Sequence, residues 1–192
     1  FIINQKNSKG RAFFIGGKIK NLKIEFNGKE NQFFNKQIVK YDNKTLTGCL
    51  SFIKNMFVNS NLYVKYSNCE DGINIISSNG NIDSIDSKYS LLDGIDLDFS
   101  DLSINNVKIN DSGNDCIDFS SGNYQIIYFK LLNCGDKGIS IGEKTIAKIE
   151  NVDIETASIG IASKDASEVY INKSRILNTN DCLAAYKKKT RI

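Results

Sequence analysis

The feature that most constrains this chain is a repeat of 22 residues. An apolar residue returns at Ile73, Ile95, Ile117, Ile139, Ile161 and Leu183, and every step is 22. The surrounding phrases are alike: Asp71-Gly72-Ile73-Asn74-Ile75, Asp93-Gly94-Ile95-Asp96-Leu97, Asp115-Cys116-Ile117-Asp118-Phe119 and Lys137-Gly138-Ile139-Ser140-Ile141. A second apolar pattern lies between them, as in Ile104/Val107/Ile109 and Ile149/Val152/Ile154, with an early copy at Ile19/Leu22/Ile24. Asn, Gly, Ser and Asp fill the gaps, as turns require. The alternation has the period of strands, not of helices. Two short strands and their turns cannot bury a face alone, whereas stacked copies bury a continuous core. The chain is therefore expected to be all-β, a single-stranded parallel β-helix with one coil per repeat and about 7–8 coils, spaced about 4.8 Å apart. Ile73 and its equivalents form one inward ladder, and Phe99, Phe119 and Phe129 join the core.

The expected organisation is one domain over 1–192, read as a segment of a longer protein with further domains flanking it. Regular coils run over 47–192. The rhythm fails between Ile24 and Gly48, so 27–46 is expected to be an inserted loop or short helix. Its Phe33, Phe34 and Tyr41 make either a sugar-stacking surface or a cover for the edge of the first coil.

Composition narrows the chemistry. The chain has 192 residues and no histidine, which removes Ser-His-Asp and Cys-His nucleophile systems and His-ligated zinc. No apolar run approaches ~20 residues, so no membrane-spanning helix is expected. The net charge of +3 conceals segregation: residues 1–66 carry net +9, residues 67–136 net −9 and residues 137–192 net +3. The lysines of the first block are scattered among Asn and Gly without a recognition motif, so nucleic acid is not the expected partner. The five cysteines contain no CxxC pair, and their odd number excludes a complete disulfide framework. They are read as small packing side chains.

The 22-residue coil with Asp-Gly-Ile-Asp phrasing resembles the right-handed parallel β-helix superfamily, whose best-known members are pectate lyases. The stretch from Gly113 to Lys189, with its NDCIDFS, GDKGISIGEK and SIGIASKDAS phrases, also resembles β-helix regions that accompany spore-coat H-type kinase domains. The resemblance implies a secreted or cell-surface protein that meets a polysaccharide or surface glycan. Superfamily members range from lyases to adhesins, and fold alone selects none. The arginines of a pectate-lyase-type site are scarce, since the chain has only Arg11, Arg175 and Arg191.

Strict alternation about Ile73 yields three outward columns. They run Gly72/Gly94/Cys116/Gly138/Gly160/Cys182, Asn74/Asp96/Asp118/Ser140/Ala162/Ala184 and Ile76/Asp98/Ser120/Gly142/Lys164/Tyr186. Asp118 and Ser140 are candidate substrate contacts, together with Phe33, Phe34 and Tyr41. Asp96, Asp98 and Asp118 are candidate metal ligands, because three neighbouring carboxylates ask for a compensating charge and Ca²⁺ takes several oxygen ligands. The competing reading is a carboxylate ladder relieved by water, salt and shifted protonation. Lys164 and Tyr186 are candidate catalytic base and acid for a lyase or epimerase on a uronic-acid polymer. A solvated lysine in a turn is the plain alternative for Lys164. The leading expectation is a carbohydrate-binding or scaffolding module, and the alternative is a calcium-assisted polysaccharide lyase or epimerase.

Overall fold

The structure is a computed structural model that describes residues 1–7, 9–36, 38 and 46–188. Among these described residues, thirteen strands and one short helix follow in order. They are β1 (Ile2–Asn4), β2 (Ala12–Ile15), β3 (Lys18–Lys20), β4 (Lys23–Asn27), α1 (Glu30–Phe34), β5 (Gly48–Ile53) and β6 (Met56–Ser67). There follow β7 (Asp71–Ile76), β8 (Asn79–Ser90), β9 (Asp93–Ser112), β10 (Ile117–Cys134), β11 (Lys137–Gly142), β12 (Ile146–Lys164) and β13 (Glu168–Tyr186). Each strand pairs in parallel with its equivalent one coil on, so Ile73 faces Ile95, Ile95 faces Ile117, Ile117 faces Ile139 and Ile139 faces Ile161. The result is a parallel β-solenoid of about eight turns with a spacing of ~22 residues.

Each coil has three sides. The first is built from β5, β7, the start of β9 (93–98) and of β10 (117–120), β11 and the end of β12 (159–164). The second runs through 101–104 and the third through 106–110, with equivalents in the other coils. Single residues with left-handed backbone turn the corners. Ser77, Phe99, Ser121 and Glu143 do so between the first and second sides, with φ of 50, 48, 60 and 59°. Tyr66, Tyr89, Asp111, Asn133, Thr156 and Asn178 do so after the third side, with φ between 54 and 69°. Asn and Asp accept this conformation most readily among non-glycine residues. The turn column then bonds along the stack, with Asn133 Nδ2 donating to Asp111 Oδ1 at 2.8 Å.

The core lies where the repeat places it. Ile73, Ile95, Ile117, Ile139 and Ile161 are buried, as are Ile82, Ile104 and Ile126 from the second side and Val107, Phe129 and Val152 from the third. The ladder's last member, Leu183 in β13, is exposed. Phe119 and Phe129 are core, but Phe99 is 61% exposed. It is a corner residue, and its left-handed backbone swings the side chain away from the interior.

Two cysteine pairs correct the expectation of simple packing residues: Cys49–Cys69 and Cys116–Cys134 are disulfides, and Cys182 is free. The cause is a break in alternation. A Cβ at Gly94 would lie 2.6 Å from the Cys116 carbonyl oxygen, 2.8 Å from Ser112 Oγ and 2.9 Å from Ile109 Cγ2. The Gly72/Gly94/Cys116 column therefore points into the solenoid and not outward. Cys116 occupies the Gly94 position one coil on, and Cys134 is in register with Ser112. The pair fills with a covalent bond the place where glycine and serine touch in the coil before.

Between β4 and β5 the expected interruption contains α1. Tyr41 lies outside the described residues.

Candidate functional sites on three-sided coils

The first side carries the outward polar columns. Asn74, Asp96, Asp118, Ser140 and Ala162 are in successive register, and so are Ile76, Asp98, Ser120 and Gly142. A further acidic column borders them in place of the glycines: Asp71 is in register with Asp93, and the Asp115 backbone N–H donates to Asp93 Oδ1 at 2.9 Å. The sequence leaves Asp93 and Asp115, at the turn before the strand, either beside the proposed ligands or too far round the turn, and the reversal of facing at the glycine sets them in this column. The signal was present as the Asp that opens each Asp-Gly-Ile phrase.

Burial and like charge act together here. Asp71 is 2% exposed, and burial lifts its carboxyl to about 8, with Asp93, Glu70 and Asp98 adding and a hydrogen bond with Thr47 opposing. Burial also lifts Asp93 to about 7, with Asp115 as the next largest cause. Asp96 stands well above the ordinary carboxylate range through burial and then the charges of Asp71 and Asp98. Asp98 and Asp115 are raised as well, burial being the first cause in both. Lys137 moderates the end of this column, with Nζ 3.3 Å from Asp115 Oδ1 and a second contact to Asp136.

The three proposed metal ligands part company. The Asn74 amide Nδ2 donates to Asp98 Oδ2 at 3.0 Å and to Asp96 Oδ2 at 3.3 Å. A hydrogen-bond donor thus stands between these two carboxyls. Asp118 accepts from the backbone N–H of Phe119 at 3.0 Å and has its Oδ1 3.9 Å from Lys164 Nζ. Among the described residues no group of three acidic or thiol side chains closes to a metal-binding arrangement. As placed, Asp96 and Asp98 meet the Asn74 amide, and Asp118 meets Lys164. Burial and like charge raise the pKa of Asp96 and Asp98, while the Asn74 amide and the Lys164 ammonium stand against the row. Within this row, two buried oxygens, Asp71 Oδ2 and Asn74 Oδ1, have no hydrogen-bond partner among the described residues.

Lys164 is no solvated turn residue. It is 5% exposed and lies back across the glycine of the preceding coil, with its Cε 3.6 Å from where a Gly142 Cβ would be. Its ammonium reaches Ser140 Oγ at 2.5 Å and approaches Asp118. A separation of two coils is thus spanned by the side chain itself. Tyr186 is in register with Lys164 one coil on and is 42% exposed. Ser140 is fully buried beneath Lys164, so the structure brings Asp118, Ser140 and Lys164 together and leaves Tyr186 beside them.

A second assembly sits at the corner after the third side. Tyr66 and Tyr89 stack with centroids 5.0 Å apart and planes 11° apart. Phe33 of α1 meets them at 5.8 and 5.7 Å, and Phe34 lies 5.5 Å from Phe33 and is 67% exposed. Glu30 of α1 accepts a hydrogen bond from Tyr66 Oη at 2.8 Å, and Lys65 Nζ stands 4.5 Å from the Tyr66 ring centre. The inserted segment is thereby tied to the coils through Phe33, while Phe34 stays open to solvent. The sequence pointed to Phe33 and Phe34 but not to Tyr66 and Tyr89, which are 23 residues apart and become neighbours only when coils stack.

Comparison with protein-family models, curated proteins and solved structures returns no significant match.

Proposed function

We propose that this chain is a β-helical carbohydrate-binding module of a secreted or cell-surface protein. The observation that carries the reading is the aromatic shelf of Phe34, Phe33, Tyr66 and Tyr89. Stacked rings held on coil corners offer flat apolar faces beside hydrogen-bonding groups, which is the chemistry that sugar rings recognise. The two disulfides support an oxidising location. The test is titration of a panel of soluble polysaccharides against the chain and against the variants F34A and Y66A/Y89A. Retained binding in both variants, or no binding by the parent chain to any glycan, sinks the shelf as a site.

A second reading, a lyase or epimerase acting on a uronic-acid polymer, has one observation in its favour: a buried lysine placed beside an exposed tyrosine. In a β-elimination Lys164 would take the C5 proton, the electron pair would form the C4–C5 double bond, and Tyr186 would protonate the departing C4 oxygen. It ranks second because the Lys164 ammonium is already engaged by Ser140 and Asp118. Unsaturated product from uronate polymers, absent in K164M, is its required signature.

A further inference from the structure

The third side of the solenoid is chemically unlike the first, and its charge says which glycan the shelf receives. Residues 67–136 contain twelve acidic side chains and only three basic ones, Lys88, Lys108 and Lys130. All three basic groups are exposed and project from the third side. Lys108 and Lys130 are in register on adjacent coils. Lys88 is in register with Lys65, in the neighbouring column and one coil further back. Adjacent coils lie about 4.8 Å apart, so each pair stacks like charges at close range. Among the described residues, Lys88, Lys108 and Lys130 make no ion pair. A shallow groove of about 350 Å³ runs between these residues, bordered by Asp86, Asn110 and Leu132. Lys65 connects this side to the shelf, since its ammonium lies over the Tyr66 ring.

We infer that the lysine-bearing side and the aromatic shelf form one surface for a linear acidic polysaccharide, with rings stacking on the shelf and carboxylates or sulfates lying on Lys65, Lys88, Lys108 and Lys130. This rests on the glycan-binding reading and adds the class of ligand. An anion on this surface relieves the repulsion within each lysine pair. The column also includes Asp86 before Lys108 and Asp153 after Lys130. Carboxylates there accept hydrogen bonds from sugar hydroxyls, which a glycan carries on every ring and a nucleic-acid strand carries sparsely or not at all. That pattern favours an acidic glycan over nucleic acid.

The experiment titrates the chain with oligogalacturonate, with its methyl-esterified counterpart and with a single-stranded oligonucleotide. The esterified form keeps the sugar rings and removes the charge. The expected result is at least tenfold tighter binding of the acidic form and a weakening as salt rises, because exposed charges are screened. That advantage should vanish in K108Q/K130Q and persist in K108R/K130R, with thermal melts confirming that both variants fold. Equal binding of acidic and esterified forms overturns the inference and leaves the shelf standing. Tighter binding of the oligonucleotide overturns the choice of ligand. Binding of neither glycan removes the shelf reading and this inference together.

Discussion

Strand β9 runs along all three sides of one coil, and its two ends meet opposite electrostatic problems. At its start, Asp93, Asp96 and Asp98 crowd against Asp71, Asp115 and Asp118 in a largely buried row. Toward its end, Lys108 stands exposed beside Lys88 and Lys130. Stacking multiplies a single charge into a column in both cases. Burial decides what happens next. In the buried row, water screens the repulsion poorly, so the carboxyl pKa values rise and Asp96 and Asp98 share the Asn74 amide. On the exposed side, screening is cheap, the lysines remain charged and the charge is left available to a partner.

The strongest perturbation severs the link between these two regions. Cys116 lies behind the acidic side and Cys134 follows the lysine side, so the disulfide closes one coil across both. Its loop spans 18 residues and that of Cys49–Cys69 spans 20. Chain-entropy reasoning assigns about 3 kcal/mol to each loop of this size. Reduction is expected to lower the melting temperature by on the order of 10 °C or more. A melt unchanged by reductant would show that packing alone holds the coils.

The next effect belongs to the acidic side alone. Asp71 has an ordinary pKa of 3.8 and is lifted to about 8 in the folded chain. Between those values the folded state binds more protons than the unfolded state, so stability falls as pH rises. The stabilisation is fully present below about pH 4 and is lost as pH climbs through 8. Asp93, Asp96 and Asp98 shift in the same direction and add to it. The melting temperature should drop by several degrees between pH 5 and pH 8.5, and D71N should flatten that dependence. A chain that becomes more stable over the same interval contradicts the buried-carboxyl account.

Between the two regions in size stands Lys164. K164M keeps most of the length of the side chain but removes the charge beside Asp118, leaving Ser140 Oγ without its donor. A cost of about 1–3 kcal/mol is expected in chemical denaturation, in line with loss of one partner from a buried polar group. The smallest effect is on the lysine side. K108Q/K130Q should change stability by no more than about 0.5 kcal/mol, as exposed substitutions usually do, while altering affinity for acidic glycans. A large loss of stability there would mean that the lysines serve the fold and not a partner.

Much of the architecture was legible because a solenoid repeats its physics. A 22-residue period placed Ile73 through Ile161, and the register of Asp96 with Asp118 followed by counting. Counting failed where the backbone reversed its facing at Gly72 and Gly94, which hid the inward-pointing Cys116 and left open whether Asp93 and Asp115 join the acidic row. It failed again at Phe99, whose apolar character suggested core but whose corner backbone turns it outward. Lys164 showed the reach that a residue count omits, since a long side chain crosses a coil wherever a glycine leaves space.

The sequence by itself determined the period, the strands, the inward ladder and the segregation of charge, because each depends on spacing along one dimension. The tertiary structure alone decided which cysteines join, which aspartates are raised in pKa, that Asp118 faces Lys164 while Asp96 and Asp98 face Asn74, and that Tyr66 stacks on Tyr89. These depend on burial and on the direction of each Cβ, which are properties of stacked coils and not of any single repeat.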